Sequence, residues 1–259
     1  MVSFNPRKIK SLGITALVGV SLVVYAFSAL TGAHHSSSES PVVTISASPE
    51  PMLVTDATVT PLPVDAPVVN SGIVSKLNSL TVSEASGVSY DRGEWHHWAD
   101  ITPCWSVREQ VLADEAVQDG SLTLLDKYKV RTTDLNKACY VAGGTWVDPY
   151  TGETFTNPSD LDIDHMIPLN YAAQHGGQVW DSGKKESYAN NRDYAGHLKA
   201  VSASANRSKS DKGPSQWKPS NQANWCEYAT DWVNISSTWN LTVTGADKNA
   251  LADMLSTCK

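Results

Sequence analysis

The sequence predicts an α+β fold for its C-terminal two thirds, and three observations carry that prediction. Residues 160–169, DLDIDHMIPL, alternate acids with Leu161 and Ile163 and read as a half-buried strand. HLKAVSAS, starting at His197, reads as a second strand and runs into the short helical pattern SANRSKSDKGP. The C-terminal segments carry helical stripes, with Trp225, Tyr228, Trp232, Ile235 and Trp239 on one and Leu251, Met254, Leu255 and Cys258 on the next. Short strands with helices segregated after them define the α+β class.

The chain has 259 residues, 41% hydrophobic and 18% charged, enough for one sizeable domain or two small ones. Its net charge of −7 excludes a generally basic nucleic-acid binder, so any such contact has to be local.

Residues 1–33 form the first unit. Arg7, Lys8 and Lys10 precede an uncharged apolar run from Ser11 to Ala33. Such a segment is a signal anchor or a cleavable signal peptide. In either case the basic end stays in the cytoplasm and the rest of the chain is exported, extracellular or in the cell envelope, with the membrane as a partner through this segment. Residues 34–75 are rich in Pro, Ser, Thr and Val without Lys or Arg, and are expected to be an extended linker. The folded domain is then residues 76–259.

Cys104, Cys139, Cys226 and Cys258 have no C-x-x-C spacing, which argues against a structural zinc site. An even number in an exported chain predicts two disulfides. Three pairings exist, and the sequential one, 104–139 with 226–258, is expected from the segments that hold them.

Within the domain, WSVREQVLADEAV places Val107, Val111, Leu112 and Ala116 on one helical face. ACYVAGGTWVDPYTGETFT reads as two strands around the turn 148–152. NYAAQHGG and SGKKESYANN read as short helices or loops. For the helix after the second strand, Ser204 is the expected cap, Gly213 the expected end, and Pro214 blocks continuation.

The chemistry concentrates at Asp164-His165. A carboxylate is a hard ligand for a divalent ion, and a neutral imidazole takes a proton from water near pH 7. On a regular strand these neighbours face opposite sides, so a shared site predicts a bulge at the strand end. On the following helix Asn206 and Lys209 stand three residues apart and share a face. Between Asp181 and Ser220 there are eight basic and four acidic residues, a local excess suited to a phosphate backbone.

The segments DIDHMIPL at 162–169 and HLKAVSASANRSKSDKGP at 197–214 resemble the HNH endonuclease superfamily, whose core is the ββα-metal motif. The resemblance is closest to exported bacterial members related to the C-terminal domain of GmrSD-type restriction enzymes. It extends loosely over YDRGEW, WVDPYTGETF and WKPSNQANWCEYA. It implies a ββα-metal core embedded in a mostly helical domain. It implies His165 as general base, and Asp164 and Asn206 at a metal. The ion would be Mg²⁺ first, with Mn²⁺, Zn²⁺ or Ni²⁺ as alternatives. His197 stands where the family has its middle asparagine and counts among the catalytic candidates, as does Lys209. Lys209 and Arg207 are the expected contacts to substrate phosphate, although Arg207 and Asp211 are also spaced to pair with each other. The implied function is metal-dependent hydrolysis of phosphodiester bonds in DNA, with RNA as a second substrate class. The alternative is a non-catalytic, envelope-bound nucleic-acid- or wall-binding module on the same fold.

Overall fold

The structure is a computed structural model and describes residues 71–259. The expected apolar segment and most of the expected linker lie outside the described residues. Among those described, no helix is long and apolar enough to cross a membrane.

The order is α1 (Ser71–Ser79), β1 (Asp100–Thr102), β2 (Trp105–Ser106), α2 (Val107–Glu115), β3 (Thr123–Asp126), β4 (Arg131–Thr132), β5 (Ala138–Gly143), β6 (Trp146–Val147), β7 (Thr154–Phe155), β8 (Leu161–His165), α3 (Leu169–Gln174), α4 (Ser182–Ala189), β9 (Leu198–Ser202), α5 (Ala203–Lys209), α6 (Trp225–Trp239) and α7 (Gly245–Leu255). The strands form small antiparallel sheets: β1-β2, β4-β3-β5, β6-β7 and β8-β9. The mixed α/β class expected from the sequence is therefore present.

Two boundaries differ from the sequence expectation. Residues 71–75 belong to α1, not to the linker, because Ile73 and Leu77 bury one face of that helix in the core. Helix α5 is capped by Ser202, whose hydroxyl accepts from the Ala205 amide, and it ends at Ser210 with φ 52°. The expected cap, Ser204, is exposed and stands two residues further on, already inside the helix, and Gly213 lies beyond the end.

Apolar side chains gather in two clusters. One joins α1, α3, α4, α6 and α7 around Tyr171, Tyr188, Tyr228 and Trp232. The other joins α2 and the sheets around Leu112, Leu124, Val141 and Trp146. The β8-β9 pair separates them: Leu161, Ile163, Leu198 and Ala200 face the second cluster, and Val201 faces the first. The stripe on α6 is core, with Tyr228, Trp232 and Ile235 buried and Trp225 and Trp239 partly so.

Both disulfides pair sequentially, Cys104 with Cys139 and Cys226 with Cys258. The first ties the β1-β2 turn to β5, and the second ties the start of α6 to the chain end. Closing loops of 35 and 32 residues contributes about 3–4 kcal/mol each in the chain-entropy picture.

Candidate active site

The pairing of β8 with β9 runs without interruption from Leu161↔Ser202 to His165↔Leu198. No bulge separates Asp164 from His165, contrary to the sequence expectation. They point to opposite faces and still border one cavity of about 420 Å³. The reason is that, among the described residues, β8 carries a strand partner on one edge only. The cavity follows its open edge, so the consecutive residues Ile163, Asp164 and His165 all line it. The remaining wall comes from Tyr90, Arg92, Asn170, Asn206, Arg207, Ser210 and Asp211, among others.

His165 is buried, and its Nε2 lies 2.8 Å from the carbonyl of Ala189, the last residue of α4. Carbonyls at a helix end lack intrahelical donors, so this one accepts readily. A carbonyl cannot donate, so Nε2 carries the hydrogen and Nδ1 keeps the lone pair. Burial pushes the imidazole well below its ordinary pKa of 6.5, so it is neutral at pH 7. Trp98 stacks on the ring at 5.1 Å between centroids, and His97 approaches at 6.4 Å. His97 is in turn placed by the Trp95 carbonyl and by Arg92.

On the opposite face, Asp164 is held by two partners. Tyr150 donates to Oδ2 at 2.7 Å, and the Lys209 ammonium lies 2.8 Å from Oδ2 and 3.0 Å from Oδ1. Lys209 also donates to the His165 carbonyl at 2.9 Å. Burial raises the carboxyl pKa and lowers that of the amine, and each charge opposes the shift of the other. Lys209 is 0% exposed. The expectation that it contacts substrate phosphate is therefore corrected. Its ammonium is spent on Asp164 and on the backbone at the end of β8, and it fixes α5 against that strand.

Tyr150 reaches Asp164 because Asp148 builds the turn before it. The buried Asp148 carboxylate accepts from the amides of Tyr150 and Ser202 and from the Thr151 hydroxyl, joining the β6-β7 hairpin to the end of β9.

Asn206 lines the cavity, and its amide nitrogen donates to Asp162 Oδ2 at 3.0 Å. That bond turns the carbonyl oxygen free. Arg207 also lines the cavity and is exposed, with no pairing to Asp211. Arg92 stands in the same wall, contributed by the chain before β1.

His197 is not in this wall. It is 1% exposed, packs against Tyr188 and Trp239, and hydrogen-bonds the Tyr188 carbonyl through Nε2 at 2.8 Å. Its Nδ1 is buried without a partner. The catalytic candidacy is corrected to a structural one: His197 holds the last turn of α4, one residue from the carbonyl that holds His165. Tyr90, Arg92, Trp98 and Tyr150 were not singled out from the sequence. The dense run YDRGEWHHW was the local signal for the first three, and it has no periodicity that aims it at β8; Tyr150 lies in the turn of WVDPYTGETF.

Among the described residues no group of three or more His, Cys, Asp or Glu side chains is arranged to hold a metal. A carboxylate offers about four lone-pair sites. Asp164 uses three, which leaves one on Oδ1, and the Asn206 carbonyl oxygen is uncommitted on the same cavity wall. Two protein oxygens on the wall of a cavity large enough for water suit Mg²⁺, which keeps several waters and takes few carboxylates. The set fits a sparse site and does not fit a thiolate- or histidine-rich one.

Comparison with known families settles the relationship. The model for GmrSD restriction endonucleases, C-terminal domain, matches residues 118–254. The chain belongs to this GmrSD C-terminal domain family. A secreted protein of Arthroderma benhamiae is 35% identical over 217 residues, covering 83% of this chain and 95% of the relative. No solved structure matches. The GmrSD-type match takes in β8, β9 and α5, and hence Asp164, His165, Asn206 and Lys209. It begins after Tyr90, Arg92, His97 and Trp98, so this part of the cavity wall lies outside the matched GmrSD segment.

Proposed function

We propose that this protein is an exported endonuclease that hydrolyses phosphodiester bonds in nucleic acid, with DNA as the first substrate and RNA as the second. The observation that carries the reading is the state of His165. Its hydrogen is pinned on Nε2 by a backbone carbonyl, its ring is neutral, and it borders a cavity flanked by two guanidinium groups. Such a group takes a proton from water attacking phosphorus. Family membership supports nuclease chemistry, and the two disulfides and the secreted relative support export.

Each residue then has a task. Nδ1 of His165 receives the proton of the attacking water. Arg207 and Arg92 bind the phosphate from two sides of the cavity and favour the charge that builds on its oxygens. Lys209 and Tyr150 fix Asp164, and Asp162 fixes Asn206. Those two would hold a divalent ion, Mg²⁺ first, through one oxygen each. Such an ion would stabilise charge on the phosphate and on the leaving oxygen.

The test is incubation of the purified protein with supercoiled plasmid, with Mg²⁺ or Mn²⁺, and then with EDTA. Nicked and linear products that disappear with EDTA are expected. Binding of the plasmid without a single cut under any metal would instead support the non-catalytic binding module.

A further inference from the structure

The turn joining β3 to β4 carries a cluster that the proposed reaction does not use. Its sequence is Lys127-Tyr128-Lys129-Val130-Arg131. Tyr128 is 73% exposed and Val130 59%. Leu125 pairs with Arg131 on one side and Tyr140 on the other, so these three share one face of the three-stranded sheet. Tyr140 is exposed as well. Lys127 stands 4.9 Å from the Tyr128 ring centre, and Lys129 lies over the Tyr140 ring.

The nearest acid does not neutralise these cations. Asp126 directs its carboxylate at the turn, accepting from the amides of Tyr128 and Val130 at 2.8 and 2.9 Å. Lys129 takes φ 65° to complete that turn. Asp134 is likewise spent, on the Asn136 amide and on Lys137. Among the described residues no acid forms an ion pair with Lys127, Lys129 or Arg131. A chain of net charge −7 thus displays on one hairpin three cations without a carboxylate partner, two of them beside tyrosine rings and the third, Arg131, donating to the Thr123 hydroxyl at 2.5 Å. Single exposed apolar residues need no explanation. Cations interleaved with aromatic rings on one hairpin, with Asp126 bound to the turn amides and Asp134 paired with Lys137, fit a polyanion that has flat apolar groups between its charges.

We infer that this hairpin is a second contact for nucleic acid, outside the reaction cavity, and that it takes a single strand. Lys127, Lys129 and Arg131 meet phosphates, and Tyr128 stacks on a base. A duplex hides its base faces, whereas an unpaired base offers one. The inference rests on the nuclease reading of the cavity, because it supplies that enzyme with a hold on its substrate away from the cut.

The experiment measures anisotropy of a labelled 20-nucleotide oligo-dT with the full protein in EDTA, at 50–200 mM salt. Wild type is compared with Tyr128→Ala and with the triple variant Lys127→Ala/Lys129→Ala/Arg131→Ala. Hydrolysis of bis(4-nitrophenyl) phosphate, too small to reach the hairpin, is followed in parallel with Mg²⁺. Tyr128→Ala should weaken oligo-dT binding about 5- to 100-fold. The triple variant should flatten the slope of log affinity against log salt by about 2. Both should leave the small diester reaction unchanged. Variants that bind as wild type, while wild type cuts DNA, would overturn the hairpin proposal alone. A wild type that neither binds nor cuts any nucleic acid would overturn both readings. Binding to phosphatidylglycerol vesicles that is lost in the variants, with oligo-dT binding unaffected, would assign the hairpin to an anionic membrane and also overturn it.

Discussion

His165, at the end of β8, and His197, just before β9, are paired opposites. Both are buried, and both give Nε2 to a carbonyl at the end of α4, at Ala189 and Tyr188 respectively. Both are pushed below the ordinary imidazole pKa by burial. They differ in the second nitrogen. That of His197 is sealed in protein among Tyr188 and Trp239, while His165 opens on the cavity. Residue type and tether are shared, so the task of each is decided by what its remaining lone pair can reach.

The sharpest way to break this comparison is to remove each ring in turn. His165→Ala should abolish cleavage, by at least the roughly 10²- to 10⁴-fold typical of a lost acid–base group. Oligonucleotide affinity of the folded variant should stay near wild type, because the base acts on the attacking water and not on bound substrate, while the melting temperature should fall with the lost ring packing and the lost bond to the Ala189 carbonyl. Near-normal cleavage by this variant would end the general-base assignment.

Lys209→Ala probes the support beneath His165. Removing the cation strands the Asp164 carboxylate in a buried site, which costs about 3–5 kcal/mol. Denaturant midpoints should show that loss, and Lys209→Met should recover little of it. A variant with unchanged stability and only weaker substrate binding would restore Lys209 as a phosphate contact.

Acid titration sharpens the contrast further. The imidazole of His197 is lowered from 6.5 to about 4. The unfolded chain therefore binds a proton that the folded chain refuses between those values. This contribution is present above pH 6.5 and is lost as pH falls towards 4, by up to about 3 kcal/mol. Glu115 works in the opposite sense. Burial raises its carboxyl from 4.5 to about 7, so it favours the fold below pH 7 and loses that contribution as pH rises through the window. His197→Gln should keep the bond to the Tyr188 carbonyl and flatten the acid limb of a plot of stability against pH. An unchanged limb would show that His197 is not buried in its neutral form. Cleavage by wild type should hold below pH 6.5, because His165 stays neutral there.

The smallest effects belong to the guanidinium groups. Arg207→Ala and Arg92→Ala should each weaken DNA binding and reduce the salt slope by about 1, the signature of one lost phosphate contact. If Arg92→Ala left both unchanged, the wall contributed by the chain before β1 would have no part in substrate binding.

The sequence by itself determined the parts whose signal is local. Alternation of Leu161 and Ile163 with acids is visible within five residues, because the side-chain period of a strand is two. The stripe on α6 is visible for the corresponding reason. The two disulfides follow from an even cysteine count and from the segments that hold them, and the ββα order follows from two motifs in series. Tertiary structure decided what depended on distant partners. Asp164 and His165 share a cavity without a bulge because β8 has an open edge, which no pattern within the strand records. Lys209 reads as a phosphate contact at helical spacing, yet α5 packs that face onto β8 and turns the ammonium to Asp164, across 45 residues of sequence. His197 stands at a family position and nevertheless packs on Tyr188 and Trp239, because the residue just before β9 turns its ring into the helical cluster and bonds the Tyr188 carbonyl there. Arg92 and Trp98 arrive from a segment without regular periodicity, and only the packing of that segment beside β8 brings them to the imidazole.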